Sequence, residues 1–206
     1  DGATYVHERA ISTQQTGFSL VSQSRDWLPD PIGGILWFGV DDTYSTVYVP
    51  MYAGIRAVPP TFAEGVASLS EFSWDSAFWV FNWVANYAYS RYSDMIVDIR
   101  AVQRELEGQF FADQAAVEEK ALALHRQAPE LARDYLTAYS AAAGDGVTAR
   151  WRRLGEQLLV KYMDGNVKDE FGRPTHPRYP DDWYRRIVRE RGELLRVVPM
   201  TGESAP

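Results

Sequence analysis

The first 60 residues carry short runs of β-branched and aromatic side chains separated by Gly, Pro and Asp, a pattern that predicts strands. Four strands are expected, over residues 9–13, 18–24, 35–40 and 45–52. The first two are mixed in polarity, whereas 35–40 is apolar throughout, as in a strand covered on both faces. The polar segment 41–43 supplies turn chemistry. The last two strands are therefore predicted to form a hairpin.

After residue 73 the hydrophobic positions recur with helical spacing. Residues 78–87 are apolar on nearly all sides and predict a central helix that Ser73 or Asp75 can cap. Further helices are expected over 94–107 and 113–127, and Pro129 suits the first turn of another.

The clearest amphipathic stripe follows the turn-like Gly144-Asp145-Gly146 segment. Its members recur at steps of three and four and predict a helix: Val147, Trp151, Leu154, Leu158 and Tyr162. Turn formers and prolines over 164–180 predict a loop, and a last helix is expected to start at Asp181 or Asp182.

Composition narrows the function classes. The chain has 206 residues, 46% of them hydrophobic, which is enough to bury a core. Its net charge of −7 argues against a nucleic-acid partner. The longest apolar stretch, 77–89, is interrupted by two Asn residues and is shorter than the ~18–20 residues of a membrane span. With no cysteine, the chain can hold neither a disulfide nor a thiol nucleophile.

Several possible sites have simpler structural explanations. His7, His125 and His176 lack the spacing of zinc ligands, and His125 suits the end of a helix. Residues 164–169 lack the ligand spacing of a calcium loop and fit a plain turn. Five arginines over 185–196 follow two aspartates, as the helix dipole favours. The aromatic residues over 72–92 could line a substrate cleft, but a core role is favoured.

The order of several segments resembles the C69 dipeptidase family. The segments that carry the resemblance are 9–12 (RAIS), 28–29 (LP), 32–37 (IGGILW), 48–52 (YVPMY), 58–59 (VP), 75–88 (DSAFWVFNWVANYA) and 91–92 (RY). The resemblance implies an α+β fold, part of an αββα sandwich of the N-terminal-nucleophile hydrolases. It also implies a cysteine as first residue of the mature enzyme, acting without metal or organic cofactor, with its own α-amino group as base.

Residue 1 is Asp, so the resemblance implies that the nucleophile lies upstream or in a separate chain, and that this chain is the C-terminal part of the enzyme. The implied partners are the N-terminal part of the same hydrolase and a short peptide substrate; a homo-oligomer is left open. Residues 1–60 are expected to be the β-rich part of the sandwich, 61–198 a helical region and 199–206 a tail. The polar opening of the chain fits a processed product or a fragment.

Arg9 and Arg25 are the candidate substrate-binding residues. An arginine at the start of a central strand could pair with a substrate carboxylate or orient the nucleophile. A structural ion pair is the open alternative for both. Two other functions remain possible: a non-catalytic binding or assembly domain, and an amide acylase of the same fold.

Overall fold

The computed structural model describes residues 2–6 and 9–197, and these form two compact units that divide between residues 159 and 160. The first unit holds three strands, β1 (Phe18–Gln23), β2 (Ile35–Val40) and β3 (Val49–Tyr52). Its helices are α1 (Asp30–Gly33), α2 (Ala77–Tyr89), α3 (Tyr92–Gln127) and the greater part of α4 (Pro129–Tyr162). A small antiparallel sheet followed by long helices confirms the predicted α+β class. No helix in the described ranges combines the length and hydropathy that crossing a membrane requires.

The sheet has the order β1-β2-β3, with both pairs antiparallel. The strands predicted at 18–24 and 35–40 and the hairpin that follows are confirmed. The strand predicted at 45–52 is shorter, beginning at Val49. The strand predicted at 9–13 is wrong, because this segment makes local turn bonds instead. Thr16 N donates to Thr13 O at 3.0 Å, and Thr13 N donates to the Thr16 hydroxyl at 3.3 Å.

Each face of the sheet has its own covering. On one face Trp37 packs against Phe111 of α3, with ring centroids 5.1 Å apart. On the other face Phe38 stacks on Phe18 at 5.6 Å and meets Phe62 edge-on at 6.4 Å. Helix α3 therefore packs on the Trp37 face, and shorter segments cover part of the Phe38 face.

The outer edge of β3, together with the segment that leads into it, is hydrogen-bonded to side chains from helices. Gln103 Nε2 of α3 donates to Thr46 O at 2.6 Å, and Glu107 Oε1 accepts from Tyr48 N at 3.1 Å. Ser140 of α4 continues the row by donating to the carbonyl of the next edge residue, Pro50, at 2.9 Å. Gln103 and Glu107 are four residues apart on the helix, and the groups they bind are two residues apart on the extended chain. The two spacings agree because both correspond to about 6–7 Å. An edge closed in this way cannot pair with another strand.

The centre of the helical core lies between α2 and α4. Phe81 and Trp151 stack with centroids 4.7 Å apart, and Trp151 is 0% exposed. All five residues of the predicted amphipathic stripe in α4 are buried, which confirms that helix. The predicted caps of α2 are wrong, since its N-cap is Ser76 without a side-chain cap bond. Ser73 instead accepts from Asp75 N at 3.1 Å, within the preceding turn.

Two helices are longer than expected. The pieces predicted at 94–107 and 113–127 form one helix, α3, of 36 residues. Gly144-Asp145-Gly146 lies inside α4 rather than before it. A Cβ at Gly144 would lie 2.5 Å from Pro59 Cβ, and Asp145 Oδ1 accepts from the Thr61 hydroxyl at 3.0 Å. Packing of the 59–61 segment on α4 therefore accounts for the glycine and outweighs its low helix propensity, about 1 kcal/mol.

The second unit contains a two-stranded hairpin, β4 (Val167–Lys168) and β5 (Pro174–Thr175), and helix α5 (Asp181–Leu195). Asp169 Oδ1 accepts from the backbone N–H groups of Phe171 and Arg173, both at 2.9 Å, which is the geometry of a turn. α5 begins at Asp181 as predicted. The predicted tail, 199–206, lies outside the described residues.

Candidate functional site

Two buried aspartates follow the last residue of β2. Asp41 and Asp42 are each 1% exposed, although aspartate is almost never fully buried unless it is paired. Asp41 N donates to Gly17 O at 2.9 Å, which continues the β1–β2 pairing by one residue. The Thr46 hydroxyl donates to Val40 O at 2.7 Å and ties the returning chain to the end of β2. The sheet thus places both carboxylates at the carboxyl end of its central strand.

Asp42 is fully engaged in hydrogen bonds. Its Oδ1 accepts from the Ser12 hydroxyl and from Tyr44 N, the latter at 3.2 Å. Its Oδ2 accepts from the Ser45 and Tyr89 hydroxyls, both at 3.2 Å. Four donors around one carboxylate explain how this charge is accommodated away from water. Asp42 therefore has a sufficient structural role as the anchor of the turn.

Asp41 has a different environment. Its φ of 64° is in the left-handed region, which aspartate and asparagine adopt more readily than other residues with a side chain. Its Oδ1 accepts from Asn82 Nδ2 of α2 at 2.8 Å. Its Oδ2 is buried and has no hydrogen-bond partner in the described part of the chain. A buried carboxylate oxygen without a donor is costly, so this atom requires an explanation beyond folding.

Burial favours the neutral forms of Asp41 and Tyr89. Burial raises the pKa of Asp41 above its ordinary value; the Asn82 bond and the nearby Asp42 backbone N–H oppose this shift, and the neighbouring Asp42 charge adds to it. Burial, with the nearby Asp42 charge, also raises the pKa of Tyr89 to about 12, so this phenol stays protonated and donates. The ion pairs formed by described residues include neither aspartate.

An open cleft of about 350 Å³ lies beside the end of β2. Val40 and the aromatic side chains of Phe62, Phe78 and Trp79 line it, and Glu64 is its charged residue. Asn82, the partner of Asp41, lies one helical turn beyond Phe78 on α2. The aromatic region that was predicted to be core therefore has two roles. Part of it is buried (Val80, Phe81 and Val84), while Phe78 and Trp79 face the cleft.

Arg9 is exposed and lies in the irregular segment before β1. Its Nη2 donates to Gln15 Oε1 at 3.4 Å, a long bond between exposed side chains. Three residues later, Ser12 attaches the segment to the Asp41–Asp42 turn, because its hydroxyl donates to Asp42 and accepts from Tyr44 N at 2.9 Å. The segment that carries Arg9 is therefore anchored at the turn, while the guanidinium remains accessible to solvent.

Arg25 lies just beyond β1, in the loop before α1, with its side chain 8% exposed. Its Nη1 donates to Glu118 Oε1 of α3 at 2.5 Å, its Nη2 to Ile32 O at 3.0 Å and its Nε to Gly33 O at 3.2 Å. Glu118 Oε1 also accepts from Tyr52 OH at 3.3 Å and from Gln114 Nε2 at 2.9 Å. This network joins the β1–β2 loop to α3 on the Trp37 face. Arg9 and Arg25 belong to separate networks.

The histidines form no common site. His125 lies in the last turn of α3, as its position near a helix end predicted, and His176 lies in an exposed loop. His7 lies outside the described residues. Within the described ranges no group of three or more His, Asp or Glu side chains is arranged to hold a metal ion.

Sequence reasoning treated Asp41 and Asp42 as turn residues and missed their burial. The available signal was their position, since two acidic residues follow an uninterrupted apolar strand directly. An exposed turn would carry the same residues. Only the packing of α2, which brings Asn82 to Asp41, distinguishes the two cases.

A sequence model of peptidase family C69 matches residues 2–105, about half of the chain. The matched region contains the whole sheet, the aspartate turn, α2 and the first part of α3. No curated protein matches the chain.

Proposed function

This chain belongs to peptidase family C69, and on that premise we propose that it is the C-terminal part of a cysteine dipeptidase. In this proposal the chain supplies half of the sandwich and part of the substrate site. The nucleophile is a cysteine outside these 206 residues, since none of them is cysteine. Family membership is the observation that carries the proposal.

The proposed chemistry is acyl transfer through a thiol. A cysteine at the amino end of its chain attacks the peptide carbonyl, and its own α-amino group takes up the thiol proton. The acyl-enzyme that forms is then hydrolysed by water. The substrate is a short peptide with a free amino end, and neither a metal nor an organic cofactor takes part.

The surface of the sheet supports a missing second half. β1 is an edge strand, and its outer side pairs with no other strand of the described chain. Unlike β3, it exposes large apolar side chains: Phe18 is 60%, Leu20 47% and Val21 56% exposed. A long apolar edge of this kind normally requires covering. In an αββα sandwich the N-terminal part of the hydrolase would cover it.

The Phe38 face supports the same arrangement. Helix α3 covers the opposite face, so a second sheet could stack on the side where Phe18 and Phe38 lie. In this proposal residues 1–60 form the β-rich part of the sandwich, 61–198 the helical region and 199–206 a tail.

Arg9 is our first candidate for binding the substrate carboxylate. Its guanidinium is accessible, and Ser12 anchors its segment to the turn at the end of the central strand. A planar guanidinium can hold a carboxylate through two parallel bonds. Arg25 is the second candidate, but its donors already engage Glu118 and two backbone carbonyls. A structural role accounts for those contacts.

The first experiment is reconstitution. The purified 206-residue chain should not hydrolyse dipeptides, whereas the chain combined with the cysteine-bearing part should. Replacing that cysteine by alanine should abolish turnover, and intact-mass measurement should detect an acyl-enzyme in the active form. Turnover by the isolated chain, free of other peptidases, would contradict the proposal. An active assembly that cleaves only non-peptide amides would favour the acylase alternative, and a consistently inactive one the binding-domain alternative.

The second experiment tests Arg9 with Arg9→Lys in the reconstituted enzyme. Lysine keeps the charge and loses the planar fork, so kcat/KM for dipeptides should fall while the melting temperature stays near that of the wild type. Arg104→Lys, which changes an exposed arginine of α3, is the matched control. Normal kinetics with a lowered melting temperature would show that Arg9 is structural.

A further inference from the structure

Buried charge is compensated differently at three places around the sheet. Arg25 neutralises Glu118 at 2.5 Å, and four donors surround Asp42. Asp41 has the same 1% exposure as Asp42, but one oxygen accepts from Asn82 and the other has no partner. Of these three buried carboxylates, Asp41 is thus the one that lacks a hydrogen-bond donor for one of its buried oxygens in the described part of the chain.

The geometry at Asp41 is suited to a ligand. The Asn82 bond fixes the carboxylate by engaging Oδ1 and leaves Oδ2 as the available acceptor. The left-handed backbone at Asp41, with φ of 64°, holds this orientation. An incoming donor would therefore meet a carboxylate that is already oriented.

The chemistry of the missing partner follows from the available groups. One free carboxylate oxygen is too few for a metal ion, and the described residues hold no cluster of metal ligands. A cation with N–H donors both satisfies the oxygen and compensates the buried charge, which a neutral donor does only in part. A compact ammonium suits a single acceptor, whereas a guanidinium prefers a two-oxygen fork.

We propose that Asp41 is the acceptor for a primary ammonium group that comes from outside the described residues. The proposal rests on the dipeptidase function proposed above and extends it, because a peptide with a free amino end carries such a group. The same chemistry has a second source, the α-amino group of the nucleophile-bearing part. In either case Asp41 and Asn82 are positioning residues at the end of the central strand.

Access to Asp41 requires a local movement. The neighbouring 9–17 segment is attached to the turn through the contacts of Ser12 and through the bond from Asp41 N to Gly17 O. Ile11, just before Ser12, is 98% exposed, so this residue buries little apolar surface. Displacing the segment would cost only a few hydrogen bonds.

Binding to the 206-residue chain tests the substrate source. The probes are L-alanyl-L-alanine and its N-acetyl derivative, measured by calorimetric titration. Wild type should bind the free amine and not the acetylated peptide. Asp41→Asn, which keeps the Oδ1 acceptor and tolerates the left-handed backbone, should lose about tenfold or more in affinity. Glu107→Gln, which removes a half-buried carboxylate beside the segment that leads into β3, should leave binding unchanged.

Association with the nucleophile-bearing part tests the second source. If the cation is its α-amino group, the wild-type chain should bind that part about tenfold more tightly than Asp41→Asn does, and N-acetylation of the part should remove the difference. The isolated chain should then show no preference for the free dipeptide. Asp41→Gly, which removes the carboxylate and suits a positive φ, replaces Asp41→Asn if the latter misfolds.

Equal behaviour of wild type and both Asp41 variants in the two binding assays would overturn this inference. The binding assays do not depend on turnover. An inactive reconstituted enzyme with Asp41-dependent amine binding would remove the dipeptidase proposal and leave the ammonium site. An active enzyme whose binding of the peptide and of the nucleophile-bearing part does not depend on Asp41 would support the dipeptidase proposal and remove the ammonium site.

Discussion

Replacing Glu118 by alanine should lower the free energy of unfolding by about 3–5 kcal/mol, the cost of breaking a buried ion pair. The two side chains are 8% and 13% exposed, so solvent screens them little. Glu118 Oε1 accepts one charged donor, Arg25 Nη1, and two neutral ones, Gln114 Nε2 and Tyr52 OH. At about 1.5–3 kcal/mol for the first and about 1 kcal/mol for each of the others, the sum agrees with that range.

Urea unfolding of the 206-residue chain measures this loss, and in thermal unfolding it corresponds to a fall of about 2–4 °C per kcal/mol. Glu118→Gln is the matched control, because it keeps an acceptor for the neutral donors and removes only the charge; its cost should be about 1–2 kcal/mol lower than that of alanine. A loss below about 1 kcal/mol for Glu118→Ala would place the pair among solvent-screened surface pairs and refute the reasoning.

Three further predictions concern the edge, the core and the turn. Glu107→Ala should lower the free energy of unfolding in urea by about 1–3 kcal/mol, because it leaves Tyr48 N without an acceptor. Glu107→Gln keeps an acceptor and should lower it less. Equal losses would show that this hydrogen bond does not contribute to stability. Trp151→Ala should lower the free energy of unfolding by about 3–5 kcal/mol, and Trp83→Ala should lower it less because Trp83 is partly exposed. If Trp83→Ala lowered the melting temperature more than Trp151→Ala, the described core would be contradicted. Because burial raises the pKa of Asp41, the folded state binds a proton at a pH where the unfolded state does not. The stability of the wild type relative to Asp41→Asn should therefore rise as the pH falls from about 7 towards 4, and parallel stability profiles of the two proteins would contradict this.

The sequence predicted the elements whose pattern is local. The apolar run at 35–40 predicted a strand, and the stripe from Val147 to Tyr162 predicted a helix. Both elements are present. The strand at 9–13 failed because its residues find partners in their own turn and at the aspartates. The helix break at Gly144 failed because this glycine serves the approach of Pro59, a contact that no local pattern contains.

The residues that carried the family resemblance include several with an architectural role. A Cβ at Gly33 would lie 2.5 Å from Arg25 O, and one at Gly34 would lie 2.9 Å from Ala53 Cβ. Gly33 lets the loop after β1 fold tightly on itself, and Gly34 lets it pack against the residue that follows β3. The resemblance therefore predicted the family through residues that build the sheet. It did not single out the aspartate turn, whose residues are ordinary turn formers in sequence.

Comparison of the buried charges distinguishes architecture from function where sequence pattern does not. Folding alone explains Glu118 and Asp42, because each has enough donors to offset the loss of hydration. Folding alone does not explain Asp41, since an asparagine or glycine would serve a turn with φ of 64° without burying a carboxylate. A residue that costs stability without a structural return is expected where binding or catalysis requires it. The same reasoning assigns Arg25 a structural role and makes the turn after β2 the part of the chain in which to test for function.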